Sequence, residues 1–555
     1  MGERAAIRFR NAADPELALR FRREGFWGDV TVADLVARHA TARPDHPAFV
    51  TPEGRLSWSG YRSASNLVAA ALLEAGLEEG ERVAVLLEDG AAVHVALVGA
   101  ELAGLVAVGI GARAGELEIR HLVERTGAVA LLSHRLHRNL PTGRVYDSLR
   151  HAGLPLRRHV VLPRFEQNGE GVLVDGQEVA PDLDGAATLV ARRRIGPDDL
   201  FLINSTSGTT GLPKCVMHSQ NSKMYMAAQA RTVAALTADE VIYGAAPMPF
   251  GFGLFTAHFV PLVLGATAVV SSRFNAEQAL ELIERERATV LVCVSTQFKM
   301  LLNSPDMARR DLGSLRVMFT GGEMIPFAAA QEFEQRTGAT VLNFYGSNES
   351  GMATGTRLGD PPDRRLRTGG TYLPGTEVRL FDDDRRDVTA AGRGQPGSRG
   401  PAACLGYYDD PAANGELFTE DGFVLHADIC TLDADGYLAV VGRKVDIIIR
   451  GGKNLSAAAI EDNVSAHPAV ALAAAVPIPD PLFGERVCAY VELRPGAELS
   501  LGELARFLDE RGVSKEYFPE HLVVLDQIPR ASGGKIAKGM LREDAARRAA
   551  EGAST

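Results

Sequence analysis

The sequence predicts an α/β protein: a large N-terminal domain of two doubly wound α/β subdomains plus a small β-rich portion, then a small, mobile α+β C-terminal domain. Three observations predict it. The chain has 555 residues, more than one folding unit at about 100–200 residues each. Short apolar runs alternate with helix-length amphipathic stretches, the pattern of parallel strands joined by crossover helices. Finally, 57 Gly and 28 Pro punctuate a composition that is 46% hydrophobic and 23% charged, which suits a globular enzyme and excludes a disordered or fibrous chain.

Taken in order, the first series reads strand "RVAVLLE" from Arg82, helix "AAVHVALVGAELAG", strand "LVAVGIG", helix "ELEIRHLVERTG" and strand "AVALLSH". A second series starts at Val241 with "VIYGAAPM" and a helical stretch to Leu264. It continues through "ATAVVSS", the helix "AEQALELIERERA", the strands "TVLVCVS" and "RVMFTGG", a helix from Pro326, and "ATVLNFYG". Gly, Pro and charge cluster between 355 and 400, and "TEVRLF" with "DGYLAVVGR" forms the smaller β-rich portion. After "GRKVDIIIRGG" the pattern changes to a helix over 456–466, strands near 471–477 and 485–494, a helix over 500–511 and a strand over 521–526. This places a domain boundary near 444, dividing 1–443 from 444–555.

A formal net charge of −11 excludes a general binder of nucleic acid or membrane surfaces, so any polyanion is held by a local site. The chain has only eight lysines, at 214, 223, 299, 444, 453, 515, 535 and 538, so each is a marked choice in an arginine-rich protein. Five cysteines without a CxxC or metal-ligand spacing point to a reducing compartment. The opening "MGERAAIRFRNAADPELALRFRREGFW" has no apolar signal core, and "AHFVPLVLGATAVV" at 257–270 contains Pro261 and falls short of the ~20 residues that span a bilayer. A cytoplasmic protein is expected.

The densest chemistry lies in "STSGTTGLPKCVMHS" at 205–219. Read between the strand "DLFLIN" and the helix "SKMYMAAQARTVAAL", it is a strand-to-helix loop. Gly208 and Gly211 let backbone approach an anion, Ser205, Thr206, Ser207, Thr209 and Thr210 offer hydroxyls, and Lys214 adds a point charge. Phosphate is the natural guest. The glycine spacing, and the absence of a hydroxyl after Lys214, exclude a Walker A loop.

This stretch resembles the phosphate-binding signature of the adenylate-forming superfamily of acyl- and aryl-CoA ligases, adenylation domains and luciferases. The resemblance covers roughly residues 50 to 540 and recurs in order. "NFYGSNES" at 343–350 is similar to the family's Tyr-Gly-x-Thr-Glu element, "HADICTLDADGYLAVVGR" at 426–443 to its ribose-binding aspartate segment, and "PRASGGK" at 529–535 to its catalytic-lysine loop. It implies attack of a carboxylate on the α-phosphate of ATP, giving an acyl-adenylate and pyrophosphate, then transfer to CoA or another phosphopantetheine thiol. Thr209 and its neighbours would cradle the β/γ-phosphates, and Glu349 would hold Mg2+. Asp428 would accept the ribose hydroxyls, with Arg443 in support. Asn343, Phe344, Tyr345, Gly346 and Ser347, with Gly321 and Gly322, would frame the adenine, Tyr345 stacking on it. Lys535, beside Gly533 and Gly534, would reach the reacting oxygens from a mobile lid, and Gly451 and Gly452 would line the pantetheine path.

The chain departs from that pattern. Cys215 follows Lys214 where glycine is common, Asn348 replaces threonine, His426 and Ala427 precede Asp428 where Thr-Gly is usual, Val445 stands at the hinge and Lys453 where glutamate is frequent. None removes a phosphate ligand, but several touch the second half-reaction. Cys215 reads as a small packing residue.

The acid pocket is expected between "PMPFGFGL" at 247–254, the Gly321–Glu323 turn and the Ser347–Met352 segment, with Phe250, Gly251 and Phe252 forming an apolar slot for an aromatic or unsaturated acid. "PMPFGFGL" offers no cation for a second carboxylate and no acid for an α-amino group. The leading expectation is an ATP-dependent acid:CoA ligase, monomeric or homodimeric. The alternatives are transfer to a separate carrier protein, activation of an oxyacid such as nitrite for an amine acceptor, and a nucleotide-binding pseudoenzyme. The last is disfavoured because Lys214, Glu349, Asp428 and Lys535 are all present.

Overall fold

The computed structural model describes residues 15–167, 171–205, 213–322, 325–443, 446–450, 453–480, 483–531 and 535–552. Two nine-stranded sheets form the N-terminal domain. In one, Arg158–Val161, Ala130–Ser133, Arg82–Leu86, Val106–Ile110 and Leu200–Ser205 run parallel in that order. In the other, Thr340–Ser347, Val317–Gly321, Val290–Val292, Val241–Gly244, Thr267–Val270 and Pro47–Val50 do the same. The parallel strands are largely apolar in their middles, as strands covered on both faces are. Helices such as Ala91–Leu102, with Ala91 to Glu101 buried, fill the space against them.

Both alternating series fold as the sequence predicts, with each sheet gaining antiparallel edges. Arg55–Ser57, Gly351–Gly355 and Thr371–Tyr372 extend one; Cys215–Ser219 and Gly406–Tyr407 extend the other. The stretch Leu254–Phe259 is a π turn inside the helical run that ends at Leu264. The smaller β-rich portion is a five-stranded sheet built on Glu377–Phe381 and Arg393–Arg399 with Asp428–Leu432 and Leu438–Arg443. The C-terminal domain has its own sheet, in which Val470–Asp480 and Gly484–Leu493 pair along their length and Ala457–Ser465 and Leu501–Glu510 add helices.

One expectation is corrected. The stretch after Leu200–Ser205 does not lead into a helix: Cys215–Ser219 is a strand that pairs back antiparallel, with Ser205 opposite Cys215 and Asn204 opposite Val216. The hydroxyl-rich segment is therefore the connection of a β-hairpin, and helix Gln220–Val233 starts only after it, capped by the Ser219 side chain on the Ser222 amide. "CVMHS" buries every residue, so the apolar-polar alternation that announces a half-exposed strand is missing.

The carboxyl ends of the two sheets meet, where ligands of open α/β sheets collect. The strands ending at Ser205, Gly244, Gly321 and Ser347 all open there. Gly109, near the end of Val106–Ile110, makes the approach possible: a Cβ on it would lie 2.6 Å from the Pro249 side chain of the other subdomain. Among the described residues no helix is long and apolar enough to cross a membrane.

Candidate active site

Thr206, Ser207, Gly208, Thr209, Thr210 and Gly211 lie outside the described residues. Lys214 is exposed, and its Nζ stands 4.7 Å from the centroid of the Tyr407 ring, a cation–π contact of about 0.5–1 kcal/mol at such a site. The Tyr407 hydroxyl donates to Glu349 Oε1 at 2.8 Å. Burial, then the neighbouring Glu349 charge, push the Tyr407 phenol well above its ordinary value, so it keeps its proton and remains a donor. Glu349 is half-buried in the turn between Thr340–Ser347 and Gly351–Gly355, and its carbonyl accepts the Cys404 amide at 2.7 Å. Tyr407 thus meets a lysine over its ring and a carboxylate at its hydroxyl, joining three chain segments.

Among the described residues no three His, Cys, Asp or Glu side chains converge as a metal cage. A magnesium ion fits here only as one that takes a single carboxylate, Glu349, and completes its shell with phosphate oxygens and water, which is how Mg2+ is usually held beside nucleotides.

Further along Thr340–Ser347, alternation decides what faces where. Tyr345 donates its hydroxyl to Asp428 Oδ2 at 2.8 Å, and its ring stacks on His426 at 5.1 Å and 15°. Burial pushes His426 below its ordinary value, so the imidazole is neutral. It stands where threonine was expected, its Nε2 lying 3.1 Å from Ser398 Oγ. Asp428 stands opposite Arg443 in the backbone register of the β-rich sheet. Phe344 points the other way, into the core between Phe255 and Phe319; it was expected on the adenine shelf, but a strand turns successive side chains to opposite faces, so only its backbone borders the site. The Asn343 amide donates to the Thr368 carbonyl at 2.9 Å. Ser347 Oγ accepts the Glu349 and Ser350 amides and shapes the turn.

Lys535 brings the C-terminal domain to this cleft. Lys535 Nζ donates to the Gly322 carbonyl at 2.8 Å, at the exit of Val317–Gly321. Gly322 has φ +79°, and a Cβ there would lie 3.2 Å from Nζ, so glycine meets both the backbone and the space requirement. The lysine loop is closed at its base by the Arg530–Ile536 bridge and by the Ala531 amide on the Lys535 carbonyl at 2.7 Å; Gly533 and Gly534 lie outside the described residues.

The expected acid-binding segments also come together. Phe252 approaches Gly321, while Phe250 lies against Gly111, and Gly251 sits against the Asn348 side chain. Met352 is buried. Asp89 anchors the segment by accepting the Met248 amide at 2.8 Å; burial pushes its carboxyl up to about 7. Glu323, Val445, Gly451 and Gly452 lie outside the described residues. Burial pushes the Cys215 thiol up to about 11, as befits a packing residue.

Sequence reasoning missed Tyr407 and Asn204, whose only advance signals were adjacency to Gly406 and to Ser205.

Residues 36–408 match the family described as AMP-binding enzyme, and residues 459–535 match the AMP-binding enzyme C-terminal domain. The chain is 32% identical to the medium-chain fatty-acid–CoA ligase of Escherichia coli K12, over 95% of this chain and 93% of that one. It is 29% identical to the 2,3-dihydroxybenzoate-AMP ligase of Bacillus subtilis, over 95% and 96%. Its fold superimposes on ATP-bound MatB from Rhodopseudomonas palustris with a TM-score of 0.79 at 26% identity, covering 94% of this chain and all of the other.

Proposed function

The chain belongs to the AMP-binding enzyme family and is an AMP-forming ligase; from that premise we propose that it activates a carboxylic acid with an aromatic or unsaturated body as its acyl-adenylate and passes the acyl group to the thiol of CoA. The observation that carries the reading is the Lys535 contact at Gly322, which sets a cation from the C-terminal domain at the sheet ends where Glu349, Lys214 and the acid segment converge.

In the first half-reaction a carboxylate oxygen bonds to the α-phosphorus of ATP, and the bond to pyrophosphate breaks with its electrons on the leaving group. Both reactants are anions, so the work is charge neutralisation and alignment rather than base catalysis. Lys214 and the 206–211 hydroxyls hold the β/γ-phosphates. Glu349, oriented by Tyr407, would hold Mg2+, which would further neutralise the phosphates. Asp428 accepts the ribose hydroxyls, and Tyr345, backed by His426, offers its other face to the base. Lys535 turns from the Gly322 carbonyl to the oxygens shared by acid and phosphate. In the second half-reaction the thiol sulfur attacks the acyl carbon and AMP leaves. Thiol delivery falls to the 446–455 hairpin after the C-terminal domain has rotated.

The test is pyrophosphate release across aromatic, unsaturated and aliphatic acids, followed by mass analysis of the product with CoA. Lys535→Ala should lower adenylate formation by at least about a hundredfold, as loss of one preorganised charge at a reacting centre does, while thioester formation from a supplied acyl-adenylate stays within a few-fold. Equal loss in both steps would contradict the lysine's role. The alternative acceptor is a carrier-protein thiol; product mass with a carrier protein present decides between it and CoA.

A further inference from the structure

The two half-reactions assign no part to Asn204, yet its side chain lies where three segments of the site meet. It is buried at 1% exposure near the end of Leu200–Ser205, one residue before the hydroxyl-rich segment begins. Its Nδ2 donates to the Pro249 carbonyl of the acid segment at 3.2 Å and to Asn348 Oδ1 at 3.1 Å. Its Oδ1 accepts from Asn348 Nδ2 at 2.8 Å, and His218 Nε2 of the paired strand Cys215–Ser219 lies 2.8 Å from the same oxygen.

The chemistry of these partners leaves one arrangement. The Pro249 carbonyl can only accept, so the amide nitrogen of Asn204 faces it and the amide oxygen faces His218. Burial keeps the imidazole well below its ordinary value and neutral, so Nε2 carries the ring proton and donates. His218 Nδ1, which has no hydrogen-bond partner among the described residues, is the nitrogen left with the lone pair. The Asn204 amide thereby uses both N–H groups and both lone pairs, and it exchanges two bonds with Asn348 in a reciprocal pair. A threonine at 348, the residue expected there, offers one oxygen where asparagine offers a separate donor and acceptor. The pair adjoins both halves of the site. Asn348 immediately precedes Glu349, whose carboxylate takes the Tyr407 hydroxyl from another segment, and a Cβ on Gly251 would stand 2.8 Å from Asn348 Oδ1, so the acid segment packs directly on the pair.

We propose that Asn204 is a positioning residue: paired with Asn348 and bonded to Pro249, it fixes the spacing between the acid segment and the Glu349 carboxylate, and so aligns the acid with the phosphates of the nucleotide. It touches neither reactant. Its role meets the demand of the first half-reaction, the alignment of two anions, in which a misplacement of about 1 Å costs roughly a hundredfold in rate. This role rests on the acid-activation reading.

The experiment titrates the full chain with ATP by calorimetry, once with Mg2+ and once with EDTA, in the absence of any acid. The wild type is expected to gain affinity from Mg2+. Asn204→Leu and Asn348→Leu should each lose at least about fivefold of that gain, the size of one neutral hydrogen bond, while binding ATP in EDTA as the wild type does. The double variant should lose no more than Asn204→Leu alone, because one deletion already breaks the pair. Titration stoichiometry reports the folded fraction, so lower stoichiometry at unchanged affinity would mean that the pair serves folding only and would overturn the role. Asn204→Ser, small and polar but too short to reach both partners, carries the same expectation if the leucine variants fail to fold. In pyrophosphate release with the acid that the wild type turns over fastest, Asn204→Leu should also raise the KM for that acid at least about fivefold, since it loses the Pro249 bond. A KM and a magnesium gain equal to those of the wild type overturn the role alone. A wild type that binds no ATP, or releases no pyrophosphate with any acid, overturns the acid-activation reading and the role with it.

Discussion

Lys223 shows how one buried cation weighs against stability. An aliphatic residue would suit its position, since Tyr225, Met226, Ala227 and Ala230 around it are buried. Its folded-state value is depressed from 10.5 to about 8, first by burial. The folded protein therefore binds the proton less well than the unfolded chain does. The resulting destabilisation is fully present below pH 8 and fades as the pH rises from 8 toward 10.5, and it amounts to about 3 kcal/mol. Lys223→Met should accordingly raise the unfolding free energy by about 2–3 kcal/mol at pH 7 and by much less at pH 10, read from urea denaturation at both. A variant less stable than wild type at pH 7 would mean that the ammonium is already compensated. The sequence marked this residue only as one of eight lysines; its burial depends on which face of the helix meets the sheets. Tyr407 escaped notice for the same reason, because its link to Glu349 crosses 58 residues.

Among the elements, the hairpin Thr340–Ser347 and Gly351–Gly355 governs the site because its turn carries Glu349 and Asn348. Gly346 lies where the strands are closest: a Cβ on it would stand 1.8 Å from the Gly351 carbonyl oxygen. Gly346→Ala must spread the strands, at about 1–3 kcal/mol for overpacking, and the turn shifts with them. Thermal unfolding should show a lower Tm, and adenylate formation should fall further than stability alone explains; unchanged activity would uncouple the turn from the carboxylate's placement. The Tyr-Gly element was visible in the sequence, whereas the return of Cys215–Ser219 as a strand was not. A fully buried edge partner has no alternation to read, and its pairing is decided by a neighbour 10 residues away across the ladder, Ser205 to Cys215.

For the molecule as a whole, the question is how firmly the C-terminal domain docks. Lys535 meets Gly322, Arg494 bonds Asn303, and a cleft of about 400 Å3 separates Lys299 and Asn303 of the body from Glu492 and Arg530. Asp462 of the helix Ala457–Ser465 faces Lys299 and Arg367 of the body and Glu461 on its own helix; burial, outweighing Lys299, pushes its carboxyl from 3.8 up to about 6. A raised carboxylate favours docking when protonated, loses that contribution as the pH climbs from 3.8 through 6, and has none to lose above. Energy transfer between labels on the two domains should therefore report tighter docking at pH 5 than at pH 7.5, and Asp462→Asn should abolish the difference; looser docking at pH 5 would refute it. Polar contacts of this kind suit the domain rotation that the proposed two-step reaction requires. The alternating periodicity, the order of four motifs and the change of pattern near 444 could all be read from the chain, because they arise from contacts within a segment or from chemistry carried by consecutive residues. The pairing of Tyr407 with Glu349, the bond between Asn204 and Asn348, and the meeting of Lys535 with Gly322 could not. Each joins residues far apart in sequence, and only the close packing of two sheets and a docked domain brings them within bonding distance.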